Sequence, residues 1–187
     1  RCAHGNGLLL HMDGARICNA AAALDLPFRA FTVDAGVDLL SFGGTKNGLL
    51  GAEAVLFFDP ALAEGFRFVR KQGMQLASKM RFAAAQFDAL LGTDLWRRNA
   101  AHANAMARRL AGRLRGVRGI TITQSVDANA VFARLPREHV AALQAVAHFY
   151  IWDEATTEAR LMASFDTTED DVDRFADAAA ELIGAAR

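Results

Sequence analysis

Two side chains that can do chemistry follow short apolar segments of this chain. Asp13 comes directly after "GLLLHM", and Lys46 lies in the loop "GGTKNGLLG" that follows "VDLLSF". Continuous apolar runs of this length are typical of strands covered on both faces. In open α/β sheets, ligands bind outside the carboxyl ends of such strands. The acid and the amine are therefore candidates for one ligand site at a sheet edge.

Each of these residues also has an ordinary structural interpretation. Asp13 could cap a helix that starts at Ala15, since Asp is a favoured N-cap residue. Lys46 could be a surface lysine in a loop whose glycines serve only the turn. The loop does not match a Walker phosphate-binding motif, because no Ser or Thr follows the lysine and the upstream glycine spacing is wrong. A lysine that loses solvent at the lip of a buried sheet can form a Schiff base.

Together the two groups fit pyridoxal phosphate chemistry. Lys46 would hold the aldehyde of the cofactor, and Asp13 would pair with the pyridine nitrogen and keep it protonated. The cationic ring nitrogen would compensate the charge of Asp13 in a dry site, which explains a carboxylate at the end of a buried segment. We therefore predict a pyridoxal phosphate site.

The first part of the chain is predicted to be an α/β unit. Strands are expected at 7–13, 37–42 and 52–58, and a helix over 15–26 ends at Pro27. Strand, helix and strand in this order form a right-handed βαβ unit, so the first two strands should be parallel. Only about ten residues join the second strand to the third, which is short for a parallel crossover and predicts an antiparallel third strand.

The second part of the chain mixes helices and strands. A helix is expected to begin at Pro136, and a last helix should begin with a capping box formed by Thr167 and Asp170. The other helices are predicted over 61–72, 79–91 and 94–114, and the strands over 119–125, 129–135, 148–153 and 159–165.

Composition excludes several classes of partner. Lys plus Arg and Asp plus Glu both number 21, which gives no electrostatic case for nucleic acid or an anionic membrane. Cys2 and Cys18 have neither the number nor the spacing of a disulfide framework or a zinc site, and we expect both thiols to be inert. The histidines show no metal-binding pattern such as HExxH. No membrane span or export signal is recognised, so we expect a soluble cytoplasmic protein.

Four longer segments carry a family resemblance. They are "HMDGARICNAAAAL", "SFGGTKNGLLGAEAVLFF", "SKMRFAAAQFDALL" and "EARLMASFDTTEDDVDRF". These segments resemble low-specificity L-threonine aldolases, which are pyridoxal phosphate enzymes of fold type I, the aspartate aminotransferase fold. The resemblance covers essentially the whole chain. It implies the C-terminal half of the large cofactor-binding α/β domain over 1–92 and a small α+β C-terminal domain over 93–187.

The resemblance also implies roles for five residues. Lys46 would bind the cofactor covalently and Asp13 would pair with its ring nitrogen. Arg16 would reach the phenolic oxygen of the cofactor and the substrate carboxylate, and Arg160 would fix the substrate α-carboxylate with a planar bidentate fork. Arg81 would approach the cofactor phosphate of a neighbouring subunit. The alternatives are a helix-surface salt bridge for Arg16, a solvated face for Arg81 and a strand-edge charge for Arg160.

Two further residues are candidates near this site. His11 precedes Asp13 by two positions, so both side chains should face one side of the strand. It could support Asp13 by a hydrogen bond or be an ordinary core histidine. Thr45 could contact the cofactor phosphate or serve only as a turn hydroxyl.

The reaction implied by the resemblance is retro-aldol cleavage of L-threonine, L-allo-threonine and similar β-hydroxy-α-amino acids to glycine and an aldehyde. The partners implied are a small amino-acid substrate and further copies of the chain, in a dimer or homotetramer with shared active sites. A β-eliminating lyase or a phenylserine aldolase of the same fold would share Asp13 and Lys46. A noncatalytic oligomerisation module descended from such an enzyme is the alternative outside enzymes.

The first prediction concerns residues 1–187 taken alone. Family members draw the β-hydroxyl base, the ring-stacking histidine and the phosphate loop from the half that precedes these residues, and a sheet of only three strands would expose an edge and an apolar face. We expect purified 1–187 to have little or no threonine-cleaving activity in an assay for glycine and acetaldehyde. Ordinary turnover by this piece would contradict the prediction.

Overall fold

The computed structural model describes residues 2–184, which divide into two compact units between Arg98 and Asn99. The first unit is α/β, with a three-stranded sheet, and the second is α+β, with a four-stranded antiparallel sheet. The α/β and α+β classes predicted for the two parts of the chain are confirmed. The predicted domain boundary between residues 92 and 93 stays a prediction.

Within residues 2–94, the first unit has four α-helices and three strands. In chain order they are α1 (Cys2–Gly5), β1 (His11–Gly14), α2 (Ile17–Leu24), β2 (Leu39–Gly43), β3 (Glu53–Phe57), α3 (Phe66–Gln72) and α4 (Met80–Leu91). Short 3-10 turns cover Phe28–Phe31, Val33–Ala35, Thr45–Asn47 and Pro60–Ala63. The helix predicted over 61–72 is interrupted at Gly65, whose φ of 75° is a left-handed conformation that ends the 3-10 turn before α3 begins.

The strand directions in the first sheet agree with the prediction. The order is β1-β2-β3, with β1 parallel to β2 and β3 antiparallel to β2. In the parallel pair, Asp13 lies opposite Ser41. The βαβ unit and the antiparallel third strand are both confirmed.

The predicted burial of the first strand is wrong. Strand β1 begins only at His11, and the three leucines before it, Leu8, Leu9 and Leu10, are 61%, 57% and 40% exposed. Asp13 is exposed as well. The reason is that β1 stands at an edge of the three-stranded sheet and pairs only with β2 among the described residues. The exposed sheet edge and apolar face expected for these residues are confirmed.

Aromatic rings hold the central strand of the first sheet. The centre of the buried Phe42 ring lies 5.7 Å from the centre of the Phe28 ring and 6.0 Å from that of the Phe87 ring, and both pairs have edge-to-face geometry. Phe28 in turn lies 4.6 Å from Trp96. Aromatic pairs of this kind contribute about 0.5–1.5 kcal/mol each beyond their area burial, so the strand that leads to Lys46 is well anchored.

The cysteines differ in environment. Burial raises the pKa of the Cys18 thiol, on α2, to about 12. Since the thiolate is the reactive form, this thiol is unreactive at neutral pH, as predicted. Cys2 is exposed, and its inertness stays a prediction.

In the described part of the second unit, up to residue 184, one face of the sheet packs against three helices. Its elements are α5 (Leu95–Leu114), which begins before the division, β4 (Thr121–Ile122), β5 (Ala130–Arg134), α6 (Val140–Val146), β6 (Tyr150–Asp153), β7 (Glu158–Met162) and α7 (Glu169–Gly184). The strand order is β4-β5-β7-β6. Alternate strand residues enter the core, among them Val131, Ala133, Ala159 and Leu161, so the residues between them face the other side. None of the helices in residues 2–184 is long and apolar enough to cross a membrane.

The capping box of the last helix lies one residue later than predicted. The backbone N–H of Thr168 donates to Asp171 at 3.0 Å, and the N–H of Asp171 donates to the Thr168 hydroxyl at 3.1 Å. The hydroxyl of Thr167 instead accepts from the Ser164 N–H at 2.8 Å. Thr168 and Asp171 therefore replace Thr167 and Asp170 as the reciprocal cap.

An ion-pair network links α5 to α7. Arg109 donates to both carboxylate oxygens of Asp173, at 3.1 and 2.7 Å, and Arg113 bridges Asp173 and Asp177 at 2.7 and 2.5 Å. The hydrogen bonds from Arg109 are the main cause that lowers the pKa of Asp173, and the charges of Arg109 and Arg113 lower it further.

This network predicts an acid-sensitive contribution to stability. Because the folded-state pKa of Asp173 is lowered, its contribution is present above the unfolded carboxyl pKa of about 3.9 and is lost as pH falls through the folded value. We expect Asp173→Asn to lower the urea-unfolding free energy of the intact protein at pH 7, and the difference from wild type to shrink progressively as pH falls below about 3.9. Glu181→Gln, on the same helix but outside the network, is the control. A difference that stays constant with pH would contradict this account.

Candidate active site

The carboxyl ends of β1 and β2 bring Asp13 and Lys46 to one edge of the first sheet. Strand β1 ends at Gly14 and strand β2 at Gly43, and the two run parallel. The Lys46 turn follows β2 by two residues. Parallel strands place their carboxyl ends at the same edge, which is where open α/β sheets bind ligands.

Asp13 is oriented by the backbone of its own turn. Its Oδ1 accepts a hydrogen bond from the Ala15 N–H at 2.9 Å. Helix α2 begins at Ile17, and its N-cap position is Arg16, which makes no side-chain cap. The helix-cap interpretation is therefore wrong in detail, because Asp13 caps the turn between β1 and α2. This bond fixes one oxygen of the carboxylate at the exposed sheet edge.

The two strand ends are packed together through glycine. A Cβ on Gly43 would lie 2.5 Å from the Ala15 carbonyl oxygen and 2.6 Å from the Ala15 Cα. A Cβ on Gly14 would lie 2.7 Å from the Ser41 carbonyl oxygen. Gly43 thus allows close approach to the turn after β1, and Gly14 allows close approach to strand β2. This close approach sets the spacing between the Asp13 turn and the strand that leads to Lys46.

The Lys46 turn is anchored on both sides of an exposed lysine. Buried Asn47 donates its side-chain N–H to the Trp96 carbonyl at 3.0 Å, and the Thr45 N–H donates to Glu53 at 3.2 Å. Gly48 closes the turn at φ 111°. The Lys46 side chain is exposed, so the loss of solvent that sequence reasoning expected there is not found among residues 2–184.

Asn47 anchors the turn that carries Lys46, and this contact was not predicted from the sequence. Its signal in the sequence was a lone amide side chain directly after the lysine of a glycine-rich loop. A buried amide needs hydrogen-bond partners, so its position next to Lys46 could have indicated an anchored turn.

His11 contacts the neighbouring strand. Its ring nitrogen Nε2 lies 2.9 Å from the hydroxyl of Ser41, the residue opposite Asp13 in the sheet. The ring is exposed, so the core-histidine interpretation is wrong. The Nε2 nitrogen of His11 therefore bonds to Ser41, the residue that pairs with Asp13 across the sheet.

Arg160 lies in the second unit, on an inner strand. Strand β7 runs between β5 and β6, and Arg160 lies opposite Phe132 on one side and Tyr150 on the other. The strand-edge interpretation is therefore wrong. The guanidinium carbon lies 5.3 Å from the centre of the Trp152 ring.

The two remaining arginines lie in the first unit. Arg16 is half-buried at the start of α2, next to the Asp13 turn. Arg81 is exposed on α4, with its guanidinium carbon 4.7 Å from the centre of the Phe82 ring. Of the five predicted site residues, Asp13, Arg16 and Lys46 thus lie at or next to the carboxyl ends of β1 and β2.

The donor set at this edge fits pyridoxal phosphate better than a metal. An oriented carboxylate at the end of β1 and an accessible amine in the turn after β2 lie at the same edge of two parallel strands, and such groups suit the ring nitrogen and the aldehyde of that cofactor. Within residues 2–184, no group of three or more His, Cys, Asp or Glu side chains could hold a metal ion.

The sequence profile of the beta-eliminating lyase family matches residues 1–138. The chain belongs to this family. That membership agrees with the fold-type-I resemblance of the sequence and with the geometry at the ends of β1 and β2.

Two relatives of this chain carry the name low specificity L-threonine aldolase. The low specificity L-threonine aldolase of Pseudomonas aeruginosa is 44% identical over 176 residues, which are 94% of this chain and 50% of that protein. A second one, from another Pseudomonas species, is 44% identical over 163 residues, 87% of this chain and 47% of that protein. The chain thus spans about half the length of the curated relatives it matches.

A solved structure supports the same fold. The threonine aldolase of Leishmania major superposes with a TM-score of 0.84 at 28% identity, over 97% of this chain and 54% of that one. The fold class predicted from the sequence, a fold-type-I α/β part followed by a small α+β part, is confirmed.

The glycine contact between the strand ends predicts a sensitive position. Gly43→Ala would place a Cβ against the Ala15 backbone, and we expect it to lower the unfolding free energy of the intact protein by about 1–3 kcal/mol, as overpacking does. Urea unfolding measures this change.

Gly5→Ala is the matched control, since no heavy atom lies within 4 Å of its added Cβ. Its effect should stay within about 0.5 kcal/mol. Equal stability of the two variants would show that the Gly43 approach does not hold the strand ends together.

Proposed function

We propose that the intact protein is a pyridoxal phosphate-dependent aldehyde-lyase that cleaves L-threonine and L-allo-threonine to glycine and acetaldehyde. The observation that carries the proposal is that Asp13 lies at the end of β1 and Lys46 in the turn after the parallel strand β2, with the two strand ends packed through Gly43. The names of the Pseudomonas relatives and of the Leishmania structure support this reaction.

The cofactor supplies an electron sink when it is bound. In this proposal Lys46 would hold the cofactor covalently through its amine. Asp13 would pair with the ring nitrogen and keep it protonated. The Ala15 N–H supports this role because it fixes one Asp13 oxygen and leaves the orientation of the carboxylate defined.

Arginines bind the anionic groups in this proposal. Arg160 binds the substrate α-carboxylate with its guanidinium fork, and Arg16 binds the same carboxylate and the phenolic oxygen of the cofactor. Arg81 contacts the cofactor phosphate of a neighbouring subunit, and its exposure on α4 supports a role outside its own chain.

Assembly and location complete the proposal. We infer a homodimer or homotetramer with shared active sites. Exposed apolar side chains support it: Phe68 and Val69 lie on α3, and Phe82 lies on α4 next to Arg81. We also infer a cytoplasmic enzyme, supported by two free cysteines, one of them buried and unreactive.

The family description favours one rival reaction. A β-eliminating lyase would use the same acid and amine but expel the β-substituent. From L-threonine, elimination of water leads to 2-oxobutyrate and ammonia, whereas retro-aldol cleavage gives glycine and acetaldehyde. Product analysis therefore separates the two reactions.

The test uses the intact protein loaded with pyridoxal phosphate. We expect glycine and acetaldehyde in equal amounts from L-threonine, and Lys46→Ala to lower kcat/KM by at least about 10³-fold, as loss of a covalent catalyst does. The absorbance of the bound cofactor should change in the same variant.

Lys71→Ala is the control, because Lys71 is an exposed lysine on α3 outside the site. It should leave both measurements unchanged. Formation of 2-oxobutyrate and ammonia instead would favour the lyase, and retention of activity by Lys46→Ala would overturn the role of that residue.

A further inference from the structure

A β-bulge in the second sheet re-aims one aromatic side chain. Ile151 lies opposite Ala159, but Asp153 lies opposite Glu158, so Trp152 is the extra residue between them. A bulge of this kind bends the strand and changes the direction of the side chain at the extra position. The residue that the bulge carries is 59% exposed.

The indole of Trp152 reaches across the neighbouring strand. Strands β5 and β6 flank β7, so their backbones lie roughly 9–10 Å apart, twice the usual strand spacing. The ring centres of Phe132, on β5, and Trp152, on β6, nevertheless lie only 5.6 Å apart in edge-to-face geometry. The two rings therefore lean over β7, where the residue opposite Phe132 is Arg160.

The guanidinium of Arg160 lies against the indole ring of Trp152. Its central carbon lies 5.3 Å from the indole centre, which is within range of a cation–π interaction. Its Nε is buried without a hydrogen-bond partner. The nearest acid on its own strand face, Glu158, accepts instead from the hydroxyl of Thr123.

Two other arginines of this unit form ion pairs, unlike Arg160. Arg109 and Arg113 are both paired with carboxylates of α7. Among the described residues, the ion pairs include none to Arg160. An aromatic contact stabilises the cation through the ring face and leaves the in-plane N–H donors available for another acceptor.

We propose that Trp152 is a positioning residue, which the bulge places over β7 to hold the Arg160 guanidinium ready for the α-carboxylate of the substrate. This inference rests on the proposed function, in which Arg160 binds that carboxylate. Trp152 acts through Arg160 and takes no part in bond cleavage, so its removal should weaken carboxylate binding more than it slows the reaction.

The test compares two replacements of Trp152 in the intact, cofactor-loaded protein. Trp152→Leu removes the ring face and should raise KM for L-threonine about two- to fivefold, the range that a cation–π contact contributes at a half-exposed site. Its kcat should change less. Trp152→Phe keeps a ring face and should restore most of the lost affinity.

A binding measurement gives a readout besides activity. By calorimetry, Trp152→Leu should weaken binding of glycine, which carries a carboxylate, and leave binding of glycinamide, which does not, unchanged. Thr121→Ala is the control, because Thr121 is exposed on β4, at the opposite edge of the same sheet, where it pairs with Arg134. It should leave the glycine affinity unchanged.

A double-mutant cycle separates positioning from a merely structural effect. In an Arg160→Met background, Trp152→Leu should have no further effect on glycine affinity, since the group that it positions is gone. An equal loss in both backgrounds, or an unchanged glycine affinity in Trp152→Leu alone, would overturn the inference. This comparison holds even if the leucine variant is less stable, because the destabilisation is common to both backgrounds.

The proposed function fails in a different way. If Arg160→Met itself leaves glycine binding unchanged, the assignment of Arg160 to the substrate carboxylate is wrong, and the inference about Trp152 falls with it. If Arg160→Met weakens glycine binding but Trp152→Leu does not, only the inference about Trp152 is overturned.

Discussion

The first unit depends on the parallel pairing of β1 and β2. The ends of these short strands lie so close that only glycine, which has no side chain, fits at position 43. The carbonyl of Ala15 stands where a side chain at position 43 would be, so the turn after β1 lies directly against the end of β2. Asp13 lies at the end of β1, and Lys46 lies in the turn that follows β2. The side chains of Asp13 and Lys46 do not bond to each other, so the backbone of the two strands sets the positions of both residues. A cofactor that binds both residues would need the backbone of each strand to be held in place.

The two sides of the second unit treat their charges in opposite ways. On the helical side of the second unit, arginines are neutralised by carboxylates, and the lowered pKa of Asp173 reflects this pairing. On the open sheet face, Arg160 lies against indole and keeps its donors for another acceptor. In an ion pair, the carboxylate neutralises the guanidinium and accepts hydrogen bonds from its N–H groups. On an aromatic face, the guanidinium is oriented but its N–H groups can still donate to another anion. This contrast separates arginines that stabilise the fold from one suited to bind an anion.

Local signals in the sequence predicted most elements, and longer-range contacts decided their ends. The connection lengths between the first three strands correctly gave one parallel and one antiparallel pair. The capping box was placed one residue early, because Thr167 and Thr168 both stand three residues before an aspartate and only the folded turn selects between them. Burial of "GLLL" was predicted wrongly, since an apolar run indicates a strand that can be covered but does not indicate whether it is.

The sequence by itself determined the chemistry available at the site: an acid and an amine after successive apolar segments, in a pattern that identifies the family. Only the tertiary structure decided that Asp13 caps its own turn, that Asn47 anchors the Lys46 turn to the Trp96 carbonyl, and that a bulge turns Trp152 over Arg160. The physical reason is that residue types and spacing are local properties. Hydrogen bonds and ring contacts between distant parts of the chain exist only once the backbone has brought them together.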